Sequence, residues 1–340
     1  MKVSRWITLA AVGLAAIGFA VGGALIRSNS GNAAANAGYK AALISDIVGF
    51  NDNGFNKNQL KGLNAATKKV GGVAIPKVSH STSDYAPNFN AAIRGGAQLV
   101  IAAGFLLGPT IKTYSKQFPN VDFAITDDTY QDAGGGKNVA GITYAANESG
   151  CLVGVLAAKM AQKMGQQAIG AVGGIKLPSV DIWMAGYRYC ANKAVPGTKT
   201  IIQYSNSFGP GVDKCATVAQ NEIGQGAKII FQVAGGCGIG ALKAASAAGG
   251  YGIGVDSDEY GAAKRILTSG TKHTDTGVYD TVIAAAAGHF KGRTNLVFNL
   301  KNNGVGVGRI NPAVPSSWKK LMNSYKRQII AGKLHPPKKL

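Results

Sequence analysis

The sequence predicts an α/β fold of two doubly wound parallel-sheet lobes joined by a hinge. Three observations lead there. The chain has 340 residues, too many for one ordinary hydrophobic core and enough for two α/β units. From Tyr39 onward, short apolar runs alternate with glycine-rich turns and helix-length segments, the pattern left by right-handed crossovers between parallel strands. The alternation restarts after Ala145, so the unit occurs twice.

In the first series, strands are expected at Lys40–Ser45, Val73–Ser79, Gln98–Ala102, Val121–Thr126 and Val139–Thr143. Helices are expected at Asn56–Val70, Asn88–Gly95 and Pro109–Gln117. The second series opens with a helix at Glu148 and continues with strands at Ala168–Gly173, Thr200–Ser205, Lys228–Val233 and Tyr251–Val255. What remains is a strand (Arg265–Ser269), a helix (Thr274–Phe290), a glycine-rich strand segment (Asn295–Ile310) and a last helix (Ser316–Ala331). These are too few for a third lobe and are expected to complete the other two. The partition is then 38–145 plus about 257–290 for the first lobe, and 146–256 plus about 291–340 for the second. A chain that crosses between lobes more than once makes a hinge, with two sheet edges facing each other across a cleft.

Composition narrows the class. Hydrophobic residues make up 46% and charged residues 15%, with a formal charge of +20; such a chain is globular rather than disordered. The lysines are scattered over helix ends and loops, with no basic run carrying interleaved aromatics, which argues against nucleic acid as a partner. A cationic surface of this kind suits work beside an anionic membrane. Lys2 and Arg5 precede an uncharged stretch from Trp6 to Ile26, followed by Arg27 and a small-residue spacer with Ala35-Asn36-Ala37. Residues 1–37 therefore read as an export signal or a membrane anchor, and the rest works outside the cytoplasm.

Export makes Cys151, Cys190, Cys215 and Cys237 candidates for disulfides. Their spacings match no zinc site. In a lobe whose first three strands lie in the order second, first, third, the helices after the second and third strands share a face. Cys215 and Cys237 begin those two helices, so they are the favoured pair; Cys151 with Cys190 is the less well placed alternative, and four free buried thiols remain open.

The carboxyl ends of the strands hold the chemistry. The first offers Asp46, Phe50, Asn53, Phe55 and Asn56; the fourth, Asp127 and Asp128; the second lobe, Phe208, Asp256 and Asp258. No nucleophile elbow, metalloprotease motif or phosphate loop occurs, and His80, His273, His289 and His335 have no matching partners in the sequence. Gly236-Cys237-Gly238-Ile239-Gly240-Ala241 with Asp256 fits a dinucleotide fingerprint, but a free NAD pool is cytoplasmic, so an NAD-dependent enzyme is a remote alternative. Binding without chemistry fits better. Aromatic faces stack on a heterocycle and carboxylates accept hydrogen bonds from vicinal hydroxyls.

At these residues the sequence resembles the substrate-binding proteins of the basic membrane protein family, which includes purine nucleoside receptors of ABC importers. The matching segments include "SDIVGFNDNGFNKNQLKGL", "FAITDD", "ESGCLVGVLAAKMA", "KIIFQVAGGCGIGAL" and "YGIGVDSD". The resemblance implies a periplasmic-binding-protein fold, no reaction and no cofactor. It implies a purine nucleoside as ligand, delivered to the membrane subunits of an ABC transporter by a monomer. Phe50 and Phe208 would sandwich the base, and Asp46, Asn56 and Asp127 would hydrogen-bond to it or nearby atoms. Asp256 would hold the ribose hydroxyls, with Lys272 and Gly236 completing the set. One departure is "EYG" after Asp258, where the family commonly has glutamine. The alternative is the same fold holding a sugar or a signalling molecule.

Overall fold

The computed structural model describes residues 38–340 except Asn53 and Pro210. Residues 1–37, expected to be an export signal or a membrane anchor, and the candidate Asn53 thus lie outside the described residues. The strands are β1 (Lys40–Ile44), β2 (Val73–Lys77), β3 (Leu99–Ala102), β4 (Asp122–Thr126), β5 (Val139–Tyr144), β6 (Ala168–Gly173), β7 (Lys199–Tyr204), β8 (Ala227–Val233), β9 (Tyr251–Asp256), β10 (Ile266–Lys272), β11 (Thr294–Phe298) and β12 (Val305–Val307). The helices are α1 (Phe55–Val70), α2 (Tyr85–Arg94), α3 (Gly108–Gln117), α4 (Ala146–Lys163), α5 (Pro178–Ala194), α6 (Asp213–Gly224), α7 (Gly238–Ala247), α8 (Thr274–Ala286) and α9 (Ser316–Ile330).

The strands form two six-stranded sheets, ordered β11-β5-β4-β3-β1-β2 and β12-β10-β9-β8-β6-β7. Position by position, the second order repeats the first. Central strands such as β3 (LVIA) and β6 (AIGAVG) are buried along their whole length. They read as continuous apolar runs because helices cover both faces of a parallel sheet. Only the closing edge differs: β11 runs parallel to β5, whereas β12 is antiparallel to β10.

Two tail elements sit in the opposite lobe from the one their place in the sequence suggested. β10, expected within the 257–290 portion of the first lobe, pairs in parallel with β9 in the second sheet. β11, expected within the 291–340 portion of the second lobe, pairs in parallel with β5 in the first. The segment Asn295–Ile310 is accordingly two strands in two sheets. Local pattern gives strand character, but the choice of sheet depends on a partner more than a hundred residues away. α8 packs on α1, as the first lobe requires.

Among the described residues the chain passes between lobes after β5, between β10 and α8, and between β11 and β12. Backbone hydrogen bonds tie these passages together: Ala145 N donates to Phe298 O at 2.8 Å and His273 N to Gly304 O at 2.9 Å.

Both cystines form. Cys215 and Cys237 join the starts of α6 and α7, the pairing the strand order favoured. Cys151–Cys190 joins α4 to α5. A Cβ on Gly150, Gly154 or Gly186 would come within 2.1, 2.3 or 1.9 Å of the facing helix's carbonyl oxygens. Their glycines let α4 and α5 meet backbone to backbone, close enough for the second disulfide.

Candidate ligand-binding cleft

The carboxyl edges of the two sheets face each other across a cleft with about 660 Å³ of empty space, part of it open to solvent. Six of the eight residues singled out from the sequence line it: Asp46, Asn56, Asp127, Phe208, Asp256 and Lys272.

Phe50 and Gly236 do not. Phe50 is half-buried and packs on the main apolar cluster; Phe55, at the first position of α1, presents a first-lobe aromatic ring to the cleft instead. Gly235 rather than Gly236 lines the wall, because Gly236 stands behind it near the Gly209 carbonyl.

The first lobe contributes a polar floor. Asp46 Oδ1 accepts from Val48 N at 2.9 Å and from Asn56 Nδ2 at 2.8 Å. Burial pushes the Asp46 carboxyl up to about 6, against these hydrogen bonds. Asp52 accepts from the backbone N–H groups of Gly54, Asn56 and Lys57, satisfying donors that the start of α1 would otherwise leave unpaired. Asn56 is buried, and its Oδ1 has no hydrogen-bond partner among the described residues.

The second lobe contributes the cation. Lys272, only 3% exposed, ends β10. Its Nζ lies 2.6 Å from Asp127 Oδ2 across the cleft and 3.3 Å from Asp256 Oδ1 on its own lobe. Burial works against the ammonium, but the two carboxylates prevail and hold it above the ordinary lysine value. The Phe55, Tyr144 and Trp183 rings surround it at 4.6, 5.5 and 5.7 Å from their centroids. Asp127 follows β4 and Asp256 ends β9, the matching strands of the two sheets. Both adopt left-handed backbone, φ 57° and 60°, which is uncommon for a residue with a side chain. Asp256 Oδ1 is buried and makes no hydrogen bond of its own, its nearest partner being the ammonium.

Phe208 sits on a loop between β7 and α6, wedged against glycines. A Cβ on Gly174 would stand 2.3 Å from its ring, and one on Gly235 3.3 Å from its carbonyl oxygen. A further interlobe contact joins Asn58 Nδ2 to Ser257 Oγ at 2.8 Å.

Sequence reasoning missed Trp183, Ser179 and Val180, which line the wall from the first turns of α5. Their spacing of one helical turn after the β6 edge was the available signal. Phe105 and Leu106 also line the cleft, from the "AAGFLLGP" end of β3. Glu259, the residue at the departure from the family pattern, is not in the lining. It stands behind Asp256, accepting from Gln232 Nε2 and, at 3.0 Å, from Val255 N. Burial raises its carboxyl to about 7.

The arrangement has a buried ion pair and aromatic faces, and no metal-ligating cluster among the described residues. Residues 40–338 match the family described as ABC transporter substrate-binding protein PnrA-like. The chain belongs to this family. It is 31% identical, over 98% of its own length and 99% of the relative's, to the ABC transporter nucleoside-binding protein BmpA of Lactococcus lactis subsp. cremoris. It is 31% identical to basic membrane protein A1 of Borrelia garinii subsp. bavariensis, covering 86% of each chain. Solved ABC transporter solute-binding proteins share the fold. The one from Aeropyrum pernix has a TM-score of 0.77 at 22% identity, covering 88% of this chain and 94% of that one. The one from Conexibacter woesei has 0.69 at 24% identity, covering 88% and 99%. The dinucleotide-like glycines thus belong to a substrate-binding protein of the family, at the turn that opens α7.

Proposed function

We propose that the protein captures a purine nucleoside in this cleft, outside the cytoplasm, and delivers it to the membrane subunits of an ABC importer. It acts as a monomer and catalyses no reaction. The observation that carries the reading is Asp256: a carboxylate whose buried Oδ1 meets the Lys272 ammonium and no hydrogen-bond donor besides it among the described residues, in the same cleft as Phe55 and Phe208. A ribose supplies two hydroxyl donors for such a carboxylate, and a flat base fills the space between aromatic faces. Asn56, Asp46 and Asp127 offer the amide and carboxylate groups that read a base edge.

Trp183 in the wall favours a second reading, a sugar stacked on indole. Calorimetry on the purified chain separates the two. Adenosine, guanosine or inosine should bind with micromolar or tighter affinity, whereas ribose, galactose and NAD bind far more weakly. Asp256→Ala should cost about 2–4 kcal/mol with ribonucleosides and clearly less with 2′,3′-dideoxy analogues. A sugar or NAD binding more tightly than every nucleoside overturns the proposal.

A further inference from the structure

The positive charge is divided unequally between the lobes. Residues 38–145 with 274–298 hold 12 Lys and Arg against 9 Asp and Glu; residues 146–273 with 299–340 hold 21 against 7. The last 60 residues, Thr281–Leu340, contain 11 Lys and Arg and no acid.

The fold gathers much of this excess onto one face. α5 and α9 both pack against α4, which is buried along nearly all its length on one side of the second sheet, while α6 and α7 cover the other. α9 runs antiparallel to α4: Trp318 at its start lies under Lys163 at the end of α4, with Nζ 5.9 Å from the ring centroid. Pro336, beyond its end, accepts from Asn147 Nδ2 at the start of α4. Lys163, Arg188, Lys193, Lys320 and Arg327 on this layer are exposed, and none joins an ion pair among the described residues. The layer's two acids sit at the opposite, cleft-facing ends of the helices and are engaged. Glu148 accepts from Leu300 N at 2.7 Å, and Asp181 lies 3.4 Å from Lys176.

At the cationic end, Arg188, Tyr189, Asn192, Lys193, Thr198 and Thr200 line an open groove. Exposed Tyr189 and Ile330 add apolar surface to the same layer. Ser179 in the cleft wall and Lys193 in the groove are separated by about 20 Å along α5, at 1.5 Å per residue. A flat partner can therefore cover this face without entering the cleft.

We propose that the face of the second lobe formed by α5, α9 and the exposed end of α4 docks on anionic phospholipid headgroups. The charge is complementary to an anionic leaflet, whose field reaches a Debye length of about 8–10 Å. The groove matches a phosphate with the planar fork of Arg188 and the point charge of Lys193. Tyr189 is a residue type suited to the interface between water and acyl chains.

The test uses the full chain with vesicles of phosphatidylcholine alone, or with about one third phosphatidylglycerol. Comparing the two compositions cancels any insertion of the apolar stretch from Trp6 to Ile26. Sedimentation should show binding enhanced by phosphatidylglycerol and abolished by high salt. Reversing Lys163, Arg188, Lys193 and Lys320 to Glu should weaken the enhancement about a hundredfold. Reversing the equally exposed Lys68, Lys69, Arg94 and Lys116 of the first lobe should change it little. Lysine acylation should report protection of Lys163, Lys193 and Lys320 on the anionic vesicles, with Lys68, Lys69 and Lys116 still reactive. Equal effects of the two quartets, uniform protection, or no enhancement overturns the proposal.

Discussion

The two lobes are the same scaffold with different contents. Their strand orders coincide, and Asp127 and Asp256 stand at matching strand ends with the same left-handed backbone. At the next matching end the first lobe places Tyr144 and the second places Lys272. Between the lobes, one cation therefore meets two carboxylates, one from each lobe. Both cystines and most of the net positive charge belong to the second lobe. Topology supplies the positions; the identity of a few residues at strand ends decides that each lobe offers a carboxylate and the second also the charge that balances them.

The largest test of this division is Lys272→Met. It leaves Asp127 and Asp256 facing each other in a buried interface, and removing one partner of a buried ion pair costs about 3–5 kcal/mol. Urea denaturation should show this loss. A change below about 1 kcal/mol would mean that other contacts hold the lobes.

The cystines come next, and they should separate by effect. Loops of 39 and 22 residues correspond to about 3–4 kcal/mol each in the chain-entropy account. Replacing Cys151 and Cys190 by Ser should lower stability and leave ligand affinity unchanged, since they join α4 to α5 in the core. Replacing Cys215 and Cys237 should also weaken ligand binding, because that bridge fixes the loop carrying Phe208 to the turn containing Gly235. Identical affinity in both double mutants would remove the bridge from the cleft's construction.

Stacking is a smaller effect. Phe55→Ala and Phe208→Ala should each weaken nucleoside binding by about 1–3 kcal/mol. Phe50→Ala should leave affinity alone and lower stability, as a packing residue does. Reversal of that order would return Phe50 to the cleft.

The smallest expected effect per step concerns Glu222, a buried acid on α6 whose two oxygens have no hydrogen-bond partners among the described residues. Burial raises its carboxyl from 4.5 to about 9. A raised acid favours the folded state while protonated. Its contribution is therefore full below about pH 4.5 and is lost as pH rises towards 9, by at most about 1.4 kcal/mol per pH unit. Glu222→Gln should flatten that decline. An unchanged slope would mean that Glu222 titrates alike in the folded and the unfolded chain.

Much of this was legible in the sequence. Alternating apolar runs located the β-strands within a few residues, because a two-sided parallel sheet demands continuous hydrophobic strands. Strand ends named six cleft residues, because open sheets present ligand-facing groups there. Phe50 and Phe55 were both candidates in "VGFNDNGFN"; Phe50 was chosen to stack on the base, and only the point where α1 begins decides that Phe55 is the ring that lines the cleft. The swap of β10 and β11 between lobes was hidden because strand partners are chosen at long range. Lys272 was legible as a residue of the site but not as a bridge, since Asp127 is 145 positions away.

The passage of the chain through His273 has a mechanical consequence. Lys272 grips Asp127 one residue before the strand leaves its lobe, so the buried ion pair sits beside the pivot, where a rotation displaces atoms least. The Asn58–Ser257 hydrogen bond lies close by: Ser257 follows Asp256, and Asn58 is one helical turn beyond Phe55, whose carbonyl accepts from Thr274 Oγ1 at 3.1 Å. Ion pair and hydrogen bond are thus gathered on one passage of the chain, and a lobe turning about that passage would stretch both by short displacements.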